Sequence, residues 1–185
     1  MNVVSNRKTR NYKSARELTK IAVLTALMLV SPFFKIPLVP VPMTLQSFVA
    51  ILAGLTLGPK GAIVPAIYLL MGFCGVPVFA NGGGIAYLLQ PTCGFTFGFV
   101  LAAYLAGLIS RTKGERGYIR LILACSVATV ALYVCGIAYT LLIQIVYMGK
   151  TVDFMTILTA YWLVFIPSDI VKAAAAIFIV KAVRF

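Results

Sequence analysis

The segment FIPSDIVKA (165–173) sets Asp169 and Lys172 three residues apart within an otherwise apolar stretch. On an α-helix that spacing brings both side chains to one face. Counting back from Lys181 at about 1.5 Å per residue puts Asp169 roughly 18 Å from that end, mid-depth in a membrane core about 30 Å thick. A charge at that depth costs about 2.5–3.5 kcal/mol on insertion scales, so such residues mark functional cavities; the bland alternative is an intrahelical pair that merely tolerates burial. Pro167 lacks an amide hydrogen and is expected to free the carbonyl four residues earlier, opening the helix beside the pair. Ser168 stands four residues from Lys172, the spacing of a Ser–Lys nucleophile, with Ser126 a second candidate. Histidine is absent and the intramembrane carboxylate is single, which argues against an enzyme.

Other polar groups can converge on the same cavity. Gln46 follows a Pro-rich loop with Pro37, Pro40 and Pro42, Asn81 opens the run NGGG (81–84), and Tyr87 and Gln90 precede Pro91. Each also has a plainer reading: Gln46 and Gln90 at a wet interface, Tyr87 as an interfacial aromatic like Tyr161 and Trp162. GLTLGPKGA (54–62) has neither the spacing of a nucleotide-binding P-loop nor a Ser or Thr after Lys60, so this chain does not hydrolyse ATP alone. Cys74, Cys93, Cys125 and Cys135 form no C-x-x-C pair and read as inert apolar residues.

The elements that must position these groups are membrane helices. Apolar residues make up 62% of the chain and charged residues 11%, against roughly 25% charged in a soluble domain. With about 20 residues needed per span, one bundle uses the whole chain. A cytoplasmic basic tail (1–17) is expected, mobile or a surface helix, then a six-helix transmembrane domain (18–185) with spans near 18–34, 44–57, 62–73, 92–109, 119–147 and 154–180. The second and third are short and need tilt or burial. The first run lacks a small-x-small cleavage site and reads as a retained span, not a signal peptide. With six spans and both termini cytoplasmic, thirteen of the sixteen cations lie inside, among them Arg7, Lys8, Arg10, Lys13, Arg16, Lys20, Lys60, Arg111, Lys113, Arg116 and Arg120. Only Lys35 and Lys150 fall outside. Five spans would move the C-terminal cations outside as well. These charges lie between apolar segments and form no basic stripe with interleaved aromatics, which removes nucleic acid as a partner for the net charge of +12. The proline and glycine loops are expected to be irregular backbone lining a cavity or buried in protein. Ala15, Thr19, Ala22 and Ala26 form a small-residue stripe, suited either to packing within the bundle or to an external partner.

With these residues in place, the chain from about Leu18 resembles the BioY family, the biotin-specific S components of energy-coupling-factor transporters. The resemblance rests on VPVPMTLQSF (39–48), AGLTLGPKGA (53–62), YLLMGFCGVPVFANGGG (68–84), LLQPTCGFTFGF (88–99) and FIPSDIVKA. The family usually carries PTGG where this chain has Pro91-Thr92-Cys93-Gly94, and PGD where it has Pro167-Ser168-Asp169, so local backbone adjustment is expected. The resemblance implies a six-helix bundle in the cell membrane and an extracytoplasmic biotin pocket, with biotin as transported ligand and no cofactor. It also implies a partner module of a transmembrane T component, contacted through Ala22 and Ala26, and two ATPase subunits. Biotin offers a ureido carbonyl, two ureido N–H groups, an apolar bicycle and a carboxylate. Asp169 can accept from the N–H groups, and Lys172 can donate to the ureido oxygen or neutralise the carboxylate, so either end can meet the pair. Gln46 and Asn81 can do both, the amides of Gly82 to Gly84 can form an anion nest, and Phe79 and Leu88 can pack on the bicycle. The alternative reading is a self-sufficient secondary carrier for biotin or a related vitamin, whose Asp–Lys pair couples to protons.

Overall fold

The computed structural model describes residues 2–36, 43–111, 117–149 and 164–183, with 155 and 159, and side chains of the first helix from Ser14 onward. Pro37, Pro40, Pro42, Lys113, Arg116, Lys150, Tyr161, Trp162 and most of the first half of the expected sixth span lie outside the described residues, as do the side chains of Arg7, Lys8, Arg10 and Lys13. The described fold is mostly helical.

Helix α1 spans Asn2–Val30. Its 29 residues measure about 44 Å, longer than a membrane core of about 30 Å, so the polar N-terminal stretch is the overhanging first part of the same helix. A 3₁₀ turn at Ser31–Phe33 closes it, the Ser31 hydroxyl donating to the Met28 carbonyl at 2.8 Å. Strands β1 (Lys35–Ile36) and β2 (Met43–Thr44) pair antiparallel, Lys35 opposite Thr44.

Gln46–Phe73 is apolar and helical enough to be taken for one 28-residue span. It is a hairpin of two helices, α2 (Gln46–Leu57) and α3 (Ile63–Phe73). The Gln46 amide donates to the Tyr68 hydroxyl, yet 22 residues of straight helix would hold the two about 33 Å apart. The reversal is made at Gly58, whose φ of 70° favours glycine, and a Cβ on Gly61 would collide with the Ala53 carbonyl of the opposite arm. The two short expected spans are thus separate arms, and their shortness reflects how close the turn comes to the paired arm.

Helix α4 (Cys93–Ser110) lies between α2 and α5 (Tyr118–Leu142), and α5 continues through a π-helical turn at Ile143–Tyr147. Small residues let these backbones approach. A side chain on Gly94 would strike the Tyr139 Cβ, and one on Gly107 would strike the Gly58 backbone; Ala102, Ala106, Ala124 and Ala128 are fully buried around them. Helix α6 (Ile166–Ala182) packs against α2 and α5.

The outward faces carry large apolar side chains such as Leu70, Val134 and Phe178, exposed by 66%, 64% and 72%. Apolar surface on this scale is covered by a bilayer, and the protein is an integral membrane protein. Several of the described cations gather at one end of the bundle. Lys60 in the hairpin turn pairs with Glu17 of α1 at 2.8 Å and holds that carboxyl below its ordinary pKa, the Arg111 side chain packs over Gly58, and the Lys181 ammonium sits 4.6 Å from the centre of the Tyr118 ring. At the opposite end Lys35 donates to the Ala80 carbonyl at 2.9 Å.

Candidate functional site

Pro167 stands in the first turn of α6, where its missing amide costs nothing and its fixed φ suits the helix start. A turn at residues 164–165 precedes the helix, which begins at Ile166, and Asp169 lies in its first turn; most of the residues before 164, on which the expected opening of the helix depends, lie outside the described residues. A carboxylate near a helix N-terminus is favoured by the amide dipoles. Asp169 Oδ1 accepts from Lys172 Nζ at 3.3 Å, each side chain 12% exposed, and Asp169 Oδ2 accepts from the Tyr133 hydroxyl of α5. Lys172 also donates to Ser47 Oγ at 3.2 Å. Thus α2, α5 and α6 each contribute a group to one buried cluster. The Ser–Lys arrangement is not assembled, because Ser168 donates to the Phe165 carbonyl at 2.9 Å while Lys172 turns to Ser47 and Asp169.

The cluster forms one wall of a cavity of about 60 Å³. Across it Gln46, 4% exposed, donates to Tyr68 and accepts from Thr44 Oγ1 at 2.9 Å. The Tyr87 hydroxyl lies 3.2 Å from that of Thr92, and Phe95, Phe99, Leu132 and Phe165 supply the apolar lining. The void is well below the roughly 300 Å³ of an ordinary ligand pocket. A larger groove between α5 and α6 is almost wholly apolar. The smaller cavity is the candidate site because the convergent polar groups are there.

Ala80, Tyr87 and Thr92 of the segment between α3 and α4 line the cavity on the end away from the basic residues. The segment is irregular as expected, with Gly82 and Gly84 at φ of 114° and 93°. Three hydroxyls from the helices anchor it: Tyr68 to the Val78 carbonyl at 3.1 Å, Tyr139 to that of Leu88 at 2.6 Å and Thr140 to that of Pro91 at 2.9 Å.

Asp169, Lys172, Gln46 and Tyr87 therefore meet at one cavity, and Asn81, Gly82 and Gln90 do not line it. Asn81 is exposed beside the lining residue Ala80. The anion nest is corrected: the Gly82 amide donates to the Phe79 carbonyl at 3.2 Å and the Gly84 amide to that of Gly72 at 2.7 Å, leaving neither for an anion. The Gln90 amide closes a turn on Tyr87. Phe79 packs into an aromatic cluster with Tyr68, Phe73 and Tyr87 instead of the cavity, and Leu88 likewise stays outside the lining. Sequence reasoning missed Tyr133, Ser47, Thr92 and Thr96. Tyr133 carried a usable signal, a phenol halfway along a long apolar helix. Cys93 and Ser168 both sit on ordinary helical backbone, so the expected adjustment is unnecessary; the tight position of the first motif is Gly94. Ala15, Thr19, Ala22 and Ala26 are all exposed on α1, and Ala15 and Thr19 border a groove shared with Leu52 and Thr56 of α2 and Ile179 of α6.

The family model described as the BioY family matches residues 5–185. The chain belongs to the BioY family. Among its relatives, a probable biotin transporter BioY from Pyrococcus horikoshii is 37% identical over 92% of this chain and 97% of that protein. A biotin transporter BioY from Rhizobium etli is 34% identical over 88% and 87%. The fold matches a crystal structure of the S-component for biotin from an ECF-type ABC transporter with a TM-score of 0.80 and 27% identity, over 94% of this chain and 93% of that one. BioY-family proteins are transport components, not enzymes.

Proposed function

We propose that this BioY-family chain captures biotin from outside the cell and serves as the substrate-binding subunit of an ATP-driven energy-coupling-factor transporter. The observation that carries the reading is the Asp169–Lys172–Tyr133 cluster, a charged, hydrogen-bonded group buried in an apolar bundle and facing a small cavity. Its remaining capacity complements a ureido group. Counting only bonds among the described residues, Asp169 keeps two acceptor sites, Lys172 one donor, and Gln46 one donor and one acceptor. Two N–H groups and one carbonyl match that set, and Phe95, Phe99, Leu132 and Phe165 suit an apolar bicycle. Tyr87 flanks the ligand. Asn81, next to the rim, contacts it after the loop opens to admit it, while Gly82 and Gln90 fix the loop's shape.

The chain crosses the cell membrane six times with both termini cytoplasmic, the basic end inside and the loop over the cavity outside. Loading requires movement of that loop, since the cavity is smaller than an ordinary ligand pocket. Exposed Ala22 and Ala26 give a flat face for the T component, and two ATPase subunits supply the energy this chain lacks the P-loop to provide.

The test is uptake of labelled biotin by cells lacking their own transporter, with and without co-expressed T component and ATPases. Uptake above background that needs active ATPases is expected. Uptake at the same rate without them, abolished by a proton uncoupler, would replace this reading with the self-sufficient carrier.

A further inference from the structure

The Asp169–Lys172 pair carries no net charge, so it suits a polar, uncharged group better than an anion. A carboxylate brought to the Lys172 ammonium would also meet the Asp169 carboxylate, 3.3 Å from that ammonium, and be repelled by it. Biotin carries its carboxylate on a tail remote from its ureido ring. With the ring on the pair, as the count of free donors and acceptors favours, the tail runs to the other end of the cavity and needs a cation there.

Lys35 stands at that end. Among the described residues every other cation except Lys172 belongs to the basic end, on the first half of α1, in the hairpin turn, or where α4 ends, α5 begins and α6 ends. Two contacts place Lys35 against the walls of the site. It pairs with Thr44 across the β1–β2 strands, and its ammonium donates to the Ala80 carbonyl at 2.9 Å; Thr44 and Ala80 both line the cavity. The ammonium is therefore one hydrogen bond from the cavity wall. Its side chain is exposed, and of its three donors the Ala80 bond takes one. The carboxylates among the described residues are Glu17, at the far end with Lys60, and Asp169, already bonded to Lys172 and Tyr133. Lys35 thus has no counter-ion among them. A ligand carboxylate would fill its spare donors without disturbing the Ala80 bond, and would add the attraction of opposite charges.

We infer that Lys35 recognises the ligand's carboxylate, so that biotin lies with its ureido ring on Asp169 and Lys172 and its acid tail at the β1–β2 end. This rests on the biotin reading, and adds to it the direction of the ligand and a basis for preferring the acid over its neutral derivatives.

Calorimetric titration of the full chain, wild type and Lys35→Gln, with biotin and with biotinamide, whose tail is uncharged, tests it. Wild type should bind biotin about fivefold more tightly than biotinamide, the preference one exposed charge pair provides. Lys35→Gln should weaken biotin about fivefold and biotinamide little, erasing the preference. A lysine that only tied the strands to the α3–α4 loop would weaken both ligands alike when replaced, and that result overturns the assignment. So does a preference that survives in Lys35→Gln, or wild type that binds the two ligands equally; either leaves biotin capture standing. Folded wild type that binds neither ligand removes the biotin reading and this assignment together.

Discussion

Tyr133 is the residue that most changes the picture of the site. Its hydroxyl fixes Asp169 Oδ2, leaving Oδ1 to Lys172, so the carboxylate is held between two helices. Tyr133→Phe should weaken biotin binding by about fivefold, the ~1 kcal/mol of one hydrogen bond, with little change in melting temperature. The charge pair should behave differently. Lys172→Met leaves a buried carboxylate without its cation, whereas Asp169→Asn/Lys172→Met removes both charges. The single variant is expected to melt well below the double one, although neither binds ligand; equal melting temperatures would mean the pair is not electrostatically coupled. At this scale the sequence disclosed Asp169 and Lys172 because charge in an apolar run is conspicuous. It could not disclose Ser47, nor that the phenol of Tyr133 bonds Asp169, because both depend on which helices face α6.

Among the elements, the hairpin of α2 and α3 and the contact of α4 with α5 depend on glycine for different reasons. At Gly94 the obstacle is the Tyr139 Cβ, which cannot move without its helix. Gly94→Val should therefore cost about 1–3 kcal/mol, read as a lower melting temperature in detergent. Gly117→Ala, where an added Cβ meets open space at ordinary φ, should stay within about 0.5 kcal/mol of wild type. Expected and observed bounds of the internal helices agree within two residues, because apolar runs between charged or glycine-rich breaks define them. Pro167 is ambiguous for a physical reason: a proline interrupts a helix or begins one with the same chemistry, and only the backbone on its N-terminal side decides.

For the whole molecule the ordering feature is the separation of a basic end from a loop-covered end. It predicts the orientation directly. In intact cells a membrane-impermeant maleimide should label exposed Cys74, in a variant with the other cysteines replaced, whereas Lys60→Cys should label only after permeabilisation; the reverse pattern would invert the protein. The Glu17–Lys60 pair ties α1 to the hairpin at the basic end. Because Lys60 lowers the Glu17 pKa from 4.5, the pair's contribution is present above the ordinary carboxylate range and is lost as pH falls through the lowered value. The difference in melting temperature between wild type and Glu17→Gln should be small at neutral pH, as for any exposed pair, and vanish in acid. The charge bias and the apolar composition were legible in the sequence, but the small cavity was not, since its size follows from how the helices and their aromatic side chains pack. The most direct test of the central claim is calorimetric titration of biotin into the purified, ligand-free chain without nucleotide or partners, beside Asp169→Asn and Lys172→Ala. One-to-one binding by wild type that both variants weaken by at least about tenfold is the predicted result. Folded wild type that binds no biotin, or variants that bind it as tightly as wild type, would contradict it.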